Sequence, residues 1–164
     1  MTQITLKGNP INTKGTLPTN GTVAPNFTFV KSDLSEVALH TLTGKKILNI
    51  FPSVDTGVCA MSVRTFSKAA TDLNNVTVIN LSMDLPFAQS RFCGAEGINN
   101  VVMGSLFRSD FFKSYSLDMI DGPLKGLCSR CLIVLNEKNE IVFTEQVPEI
   151  TTEPNYQGAL AALK

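Results

Sequence analysis

The sequence is short of several things, and each shortage removes a class of function. It holds a single histidine, His40, so no zinc site built on paired histidines can be assembled. Charged residues are only 17% of the chain and they balance, 14 basic against 14 acidic. No long basic run occurs, so nothing points to a nucleic acid or an anionic membrane as partner. The longest strongly apolar run is "CLIVL", Cys131 to Leu135, far too short to span a bilayer. The opening residues "MTQITLKGNP" have neither an apolar segment nor a small-residue cleavage site. No secretory signal is read there, and a soluble, cytoplasmic protein is the expectation. Cysteine is scarce as well, with four, at 59, 93, 128 and 131. Without a secretory signal these are not expected to form a structural disulfide framework. Redox chemistry, metal binding and core packing stay open for each. No internal repeat, low-complexity tract or linker interrupts the chain. Its 164 residues, 43% of them hydrophobic, predict one domain, 1–164, with a real core.

What is present is an orderly alternation of elements. "ITLKGNPIN" reads as a hairpin around Gly8-Asn9-Pro10. "FTFV" (Phe27 to Val30) and "VALH" (Val37 to His40) read as short strands. "ILNIF" (Ile47 to Phe51) is almost continuously apolar, as in a strand buried on both faces. From Gly57 to about Asn74 the period changes: Cys59, Val63, Phe66, Ala70 and Leu73 are spaced 4, 3, 4 and 3 apart, a single helical stripe. "VTVINLS" is a further buried strand. "LPFAQSRFCG" is a short helix, with Pro86 in its first turn and Gly94 just past its end. "NVVMGS" is a strand and "SDFFKSY" a helical turn capped by Ser109. "CLIVLNEKNEIVFTEQV" is a pair of strands around Asn136 to Asn139, and "NYQGALAALK" an amphipathic helix. This order predicts an α/β protein: a thioredoxin-like mixed sheet with helices on both faces and an N-terminal β-hairpin.

The stretch "FPSVDTGVC" carries the chemistry. Cys59 falls in the first turn of a helix that follows a central strand. Amide groups there lack intrahelical partners and the helix dipole is positive. Both favour the thiolate, which is the nucleophilic form. Pro52 shapes the loop, and Thr56 stands at a cap position with a hydroxyl expected to aim at the same amides. Because Cys59 lies on the apolar stripe, its sulfur should sit at the base of a partly buried pocket. On these grounds alone a small buried hydrophobe and a nucleophile fit equally well.

Wider motifs add to this. Pro52, Thr56 and Cys59 match the Pro-x-x-x-Thr-x-x-Cys pattern of peroxiredoxins. "LNIFPSVDTGVCAMSVR", "DLPFAQSRFCGAEG", "DGPLKGL" and "EITTEP" resemble the thiol peroxidase branch, the atypical two-cysteine peroxiredoxins, over essentially the whole chain. The resemblance implies a thioredoxin-dependent peroxidase of antioxidant defence, reducing hydrogen peroxide and organic hydroperoxides. Cys59 would attack the peroxide and become a sulfenic acid. Thr56 would hold thiolate and peroxide, Pro52 would exclude water, and Arg130 would stabilise the thiolate and the bound peroxide. Cys93 would resolve the sulfenic acid to an intramolecular Cys59–Cys93 disulfide, reopened by thioredoxin. With the two sulfurs on different helices, both helices are expected to unwind locally first. No metal, haem or flavin is implied, and a homodimer packed near the active site is.

The remaining features read more plainly. "CSRC", Cys128 to Cys131, has the spacing of a redox dithiol or half a zinc site. It leads into a strand instead of opening a helix, a spacing of three along a strand points to opposite faces, and the family pattern requires cysteine at neither position. Both are assigned to packing. His40 has no cysteine partner in sight, which argues against a Cys-His protease dyad. Phe87, Phe92, Phe111 and Phe112 are assigned to core or interface. A peroxide sensor that uses the same disulfide as a switch shares the first chemical step, and only turnover separates it from an enzyme.

Overall fold

A computed structural model describes all residues, 1–164. The chain opens with a hairpin, β1 (Thr2–Leu6) and β2 (Asn9–Thr13). Leu6 pairs with Asn9, so the turn is Lys7-Gly8, one step earlier than the Gly-Asn-Pro cluster suggested. Both turn residues have positive φ, 51° and 81°, the geometry whose twist matches that of two antiparallel strands. Asn9 and Pro10 belong to β2 instead.

A seven-stranded mixed sheet follows, in the order β4-β3-β7-β6-β5-β8-β9. Its strands are β3 (Thr28–Val30), β4 (Glu36–Ala38), β5 (Lys45–Ile50), β6 (Val76–Ser82), β7 (Val102–Ser105), β8 (Cys131–Leu135) and β9 (Ile141–Gln146). The three central strands β5, β6 and β7 are parallel, while β3, β8 and β9 run antiparallel to their neighbours. The expected strand over Val37 to His40 ends at Ala38, and His40 lies in a 3-10 turn, Leu39–Thr41. There its ring Nε2 stands 2.8 Å from the Ala24 carbonyl.

Period-two alternation on β5, β6 and β8 sends neighbouring residues to opposite faces. Leu48, Ile50, Ile79, Leu81, Ile133 and Leu135 enter one core, joined by Phe111 and Tyr115. These two belong to the short helix α3 (Phe111–Tyr115). Ile47, Val78, Leu132 and Val134 enter the other, joined by Phe66, Ala159 and Leu163. Phe66 lies on α1 (Gly57–Ala70), and α4 (Tyr156–Ala161) carries Ala159. Helices therefore cover both faces. Ile47, Leu48 and Ile50 are wholly buried, each worth about 1.5–3 kcal/mol relative to exposure.

Three local expectations change. The helix α1 stops at Ala70, short of Asn74. The helix α2 (Pro86–Glu96) runs past Gly94 and ends at Gly97, whose left-handed φ of 67° closes the last turn. The start of α3 has Asp110 at the cap position with no side-chain bond, while the Ser109 hydroxyl accepts from the Phe111 amide at 3.1 Å.

Candidate active site

The site is assembled where β5 ends. Phe51 and Pro52 are buried, and the loop after them leads to the first turn of α1. Cys59 lies there, with no exposed surface. It belongs to one buried apolar cluster with Phe51, Val54, Val63, Phe92 and Met103, in keeping with its place on the apolar stripe. Its polar contact is Arg130, whose Nη2 donates to Sγ at 3.3 Å. Arg130 is itself only 1% exposed. None of the three ion pairs in the protein includes it. Its Nε donates to the Ile150 carbonyl at 2.9 Å, and its Nη1 is buried with no partner. A buried cation with no carboxylate is costly, and Cys59 Sγ is the one side-chain acceptor that it meets.

The register of the sheet explains how Arg130 arrives. β8 runs antiparallel beside β5, with Ile50 opposite Cys131. Arg130, one residue before β8, therefore meets the loop that leaves β5. A cavity of about 460 Å³ opens over this point, lined by Pro52, Thr56, Gly57, Val58, Arg130 and Ile150 among others. Cys59 does not line it, so the sulfur is more deeply buried than expected.

Thr56 occupies the cap position of α1, but its hydroxyl does not cap. It turns back and donates to the Ser53 carbonyl at 3.0 Å. With its hydrogen so engaged, the hydroxyl oxygen is left free to accept, on an exposed residue that lines the cavity. The first-turn amides of α1 thus have no side-chain acceptor.

Cys93 is half-buried in the last turn of α2, not at a helix end before Gly94. Its carbonyl accepts from the Gly97 and Ile98 amides, which ties that turn down. Its thiol packs against the edge of the cluster that holds Cys59, yet it lines a different cavity, with Lys31, Asp33, Ile98 and Met103. Burial pushes the Cys93 thiol up from its ordinary range. All four cysteines are free thiols.

Cys128 and Cys131 depart from one expectation. They do not face opposite sides of the sheet: both are wholly buried in the same core cluster. Cys128 precedes β8 in a non-strand segment, so strand alternation does not govern it. Burial raises the Cys131 thiol to about 12 and the Cys128 thiol well above its ordinary value, which suits packing residues. Of the phenylalanines, Phe92 and Phe111 are buried, Phe112 packs against the core and Phe87 is 66% exposed.

Two groups escaped the sequence reading. Asp84 accepts from the Ser53 hydroxyl at 2.7 Å, the Val54 amide at 2.9 Å and the Ser82 hydroxyl at 2.6 Å, holding the loop between Pro52 and Thr56. Asn49 donates to Asn80 at 2.9 Å and to the Ser62 hydroxyl at 3.1 Å, and Ser62 donates to the Cys59 carbonyl at 2.7 Å. The signal was an asparagine inside each of the apolar runs "ILNIF" and "VTVINLS", since a polar group buried there must find partners.

Comparison with known proteins places the chain in a family. The redoxin family profile matches residues 19–160. Thiol peroxidases of Mycobacterium tuberculosis and Mycobacterium bovis are each 52% identical over 164 residues, covering 99% of both chains. A peroxiredoxin-like protein from Aquifex aeolicus superposes with a TM-score of 0.91 at 33% identity, over 98% of this chain and 95% of its own. The thiol peroxidase of Chromobacterium violaceum shares the fold with a TM-score of 0.90 at 20% identity, over 98% and 94%. No helix is long and apolar enough to cross a membrane. The chain belongs to the redoxin family, within the thiol peroxidase branch of the peroxiredoxins, and its chemistry is that of a thiol-dependent peroxidase.

Proposed function

We propose that the chain, working as one unit over 1–164, reduces hydrogen peroxide and organic hydroperoxides at Cys59 and is recycled by thioredoxin. The observation that carries this is the buried Arg130 donating to Cys59 Sγ at 3.3 Å while its Nη1 stays unpartnered. The thiolate attacks the terminal peroxide oxygen. A sulfur–oxygen bond forms, the oxygen–oxygen bond breaks, and the alkoxide or hydroxide leaves and takes up a proton. Sulfur is oxidised to the sulfenic acid and the peroxide is reduced to an alcohol or water. The free Nη1 and the first-turn amides of α1 supply preorganised donors for the peroxide oxygens, and the Thr56 hydroxyl oxygen accepts from the peroxide O–H. Pro52 keeps bulk water off the sulfur.

Cys93 then attacks the oxidised sulfur. A disulfide forms, and the departing hydroxide carries away the Cys93 proton as water. Because the two cysteines sit on different helices, and Cys93 lines a cavity that Cys59 does not reach, the first turn of α1 and the last turn of α2 must both unwind before a disulfide can meet its geometry. A dithiol reopens the bond by exchange; thioredoxin fits that role in the reducing cytoplasm. The exposed Met61, Leu85 and Phe87 are reasonable contributors to a homodimer surface near the site.

Turnover with thioredoxin, its reductase and NADPH tests this. Peroxide consumption far beyond one equivalent per chain is expected, and a stop after one equivalent would favour a sensor. Cys59→Ser should abolish reaction. Cys93→Ser should react once and then stall or over-oxidise; unchanged turnover would remove Cys93 from the cycle. Mass spectrometry of the peroxide-treated protein should show Cys59 joined to Cys93.

A further inference from the structure

If Arg130 acts as proposed, its aim matters, and very little holds it. No carboxylate pairs with it. Apart from the bond to the sulfur, its side chain's one hydrogen bond is Nε to the Ile150 carbonyl. A guanidinium is planar and rigid, so fixing Nε–H fixes where Nη1 and Nη2 point. The position of the Ile150 carbonyl therefore decides whether Arg130 meets Cys59.

Ile150 lies outside any strand, in a segment that the N-terminal hairpin grips. Thr5 in β1 donates its amide to the Pro148 carbonyl at 2.7 Å and accepts from the Ile150 amide at 2.9 Å. The Ile150 side chain is buried with Ile4 and Ile11 of the hairpin. Glu149 completes the grip. Its Oε1 accepts from the Gly8 amide at 2.8 Å and the Thr5 hydroxyl at 3.0 Å. Its Oε2 accepts from the Thr151 amide at 2.9 Å and the Thr151 hydroxyl at 2.8 Å. One carboxylate thus joins the hairpin turn to the residues flanking Ile150. The left-handed Lys7-Gly8 turn is what presents the Gly8 amide to it. Bonds to backbone amides pull the Glu149 carboxyl down to about 2, so it is ionised throughout the working range.

We infer that Glu149 is a positioning residue for the peroxidase reaction, and that through it the N-terminal hairpin orients Arg130 onto Cys59 by way of the Ile150 carbonyl. The hairpin is then working machinery and not an appendage to the sheet. The inference rests on the proposed role of Arg130.

The test uses the full chain and three variants, Glu149→Gln, Thr5→Val and Arg130→Met. For each, the pH midpoint of Cys59 alkylation by iodoacetamide is followed by mass spectrometry, with the rate of the first reaction with hydrogen peroxide and the thermal midpoint. Glu149→Gln should raise the alkylation midpoint by about one pH unit, a tenfold loss of thiolate below it, and slow the peroxide reaction by a similar factor. Thr5→Val, which removes one of the four bonds, should move both in the same direction by less, and it serves alone should Glu149→Gln fail to fold. A lower thermal midpoint with the alkylation profile and rate of the parent in both variants would overturn the inference. If Arg130→Met itself left the profile unchanged, the role given to Arg130 would fall, and the inference with it.

Discussion

Cys59 and Arg130 can be tested as an ion pair through stability, without any substrate. Arg130 is 1% exposed and shares none of the three ion pairs. In the proposed reaction its counter-charge is the thiolate of Cys59, whose Sγ accepts from Nη2 at 3.3 Å. Cys59→Ser replaces that anion by a neutral hydroxyl and leaves a buried guanidinium uncompensated. Removing one partner of a buried pair costs about 3–5 kcal/mol, so this variant should be markedly less stable than the parent. Arg130→Met acts differently. It takes away a buried charge and fills a similar volume with apolar atoms. The Ile150 carbonyl loses its donor at a cost of about 1–3 kcal/mol, offset by the relieved desolvation of the cation. Its stability should therefore stay near that of the parent. The double variant should resemble Arg130→Met, not the sum of the two losses. The coupling expected is therefore about 3–5 kcal/mol, the full cost of Cys59→Ser alone. Urea denaturation at neutral pH under reductant measures it. Additivity within about 0.5 kcal/mol would refute the pair. Arg130→Met should also slow the peroxide reaction by about 10²–10³, the usual loss for a donor aimed at developing charge.

Two further outcomes concern the buried thiols and the link between helices. Folding raises Cys131 to about 12 and Cys128 well above its ordinary 9.0, so above about pH 9 the unfolded chain releases protons that the folded chain keeps. Fewer protons on the unfolded state mean that stability falls as pH rises, by about 1.4 kcal/mol per pH unit for each thiol. Cys131→Ala should flatten this alkaline slope by one thiol's share in a series of urea titrations; an unchanged slope would refute the assignment. Arg64 on α1 grips Glu96 on α2 with two bonds, at 2.8 and 2.7 Å. Both side chains are partly exposed, so water screens the pair and it holds the helices only weakly. Glu96→Gln should therefore speed Cys59–Cys93 disulfide formation by no more than about fivefold, read by rapid quench and mass spectrometry. A slower rate would show that α1 and α2 do not separate during resolution.

Much of this was legible in the sequence because it is local. The stripe through Cys59, Val63 and Phe66 announces which side of α1 turns inward, and the apolar runs at β5, β6 and β8 announce buried strands. The errors have local causes as well. Gly94 looked like a helix stop, but Gly97 offered the left-handed residue that ends α2. Thr56 stands where a cap should be, yet its hydroxyl takes the nearer Ser53 carbonyl. Cys128 and Cys131 share a core because Cys128 precedes the strand whose alternation was applied to it.

The sequence by itself determined that a cysteine would lie in the first turn of an inward-facing helix after a central strand. Helical period and capping geometry depend only on near neighbours, so they are written in the order of residues. The partner of that cysteine is a different matter. Arg130 is 71 positions away, and it reaches the sulfur because β8 lies antiparallel to β5 with Ile50 opposite Cys131. The carbonyl that aims Arg130 is held in turn by a hairpin more than 140 positions from Glu149. Such contacts depend on strand order and register, which the sheet selects by burying both its faces at once. Only the tertiary structure could decide them.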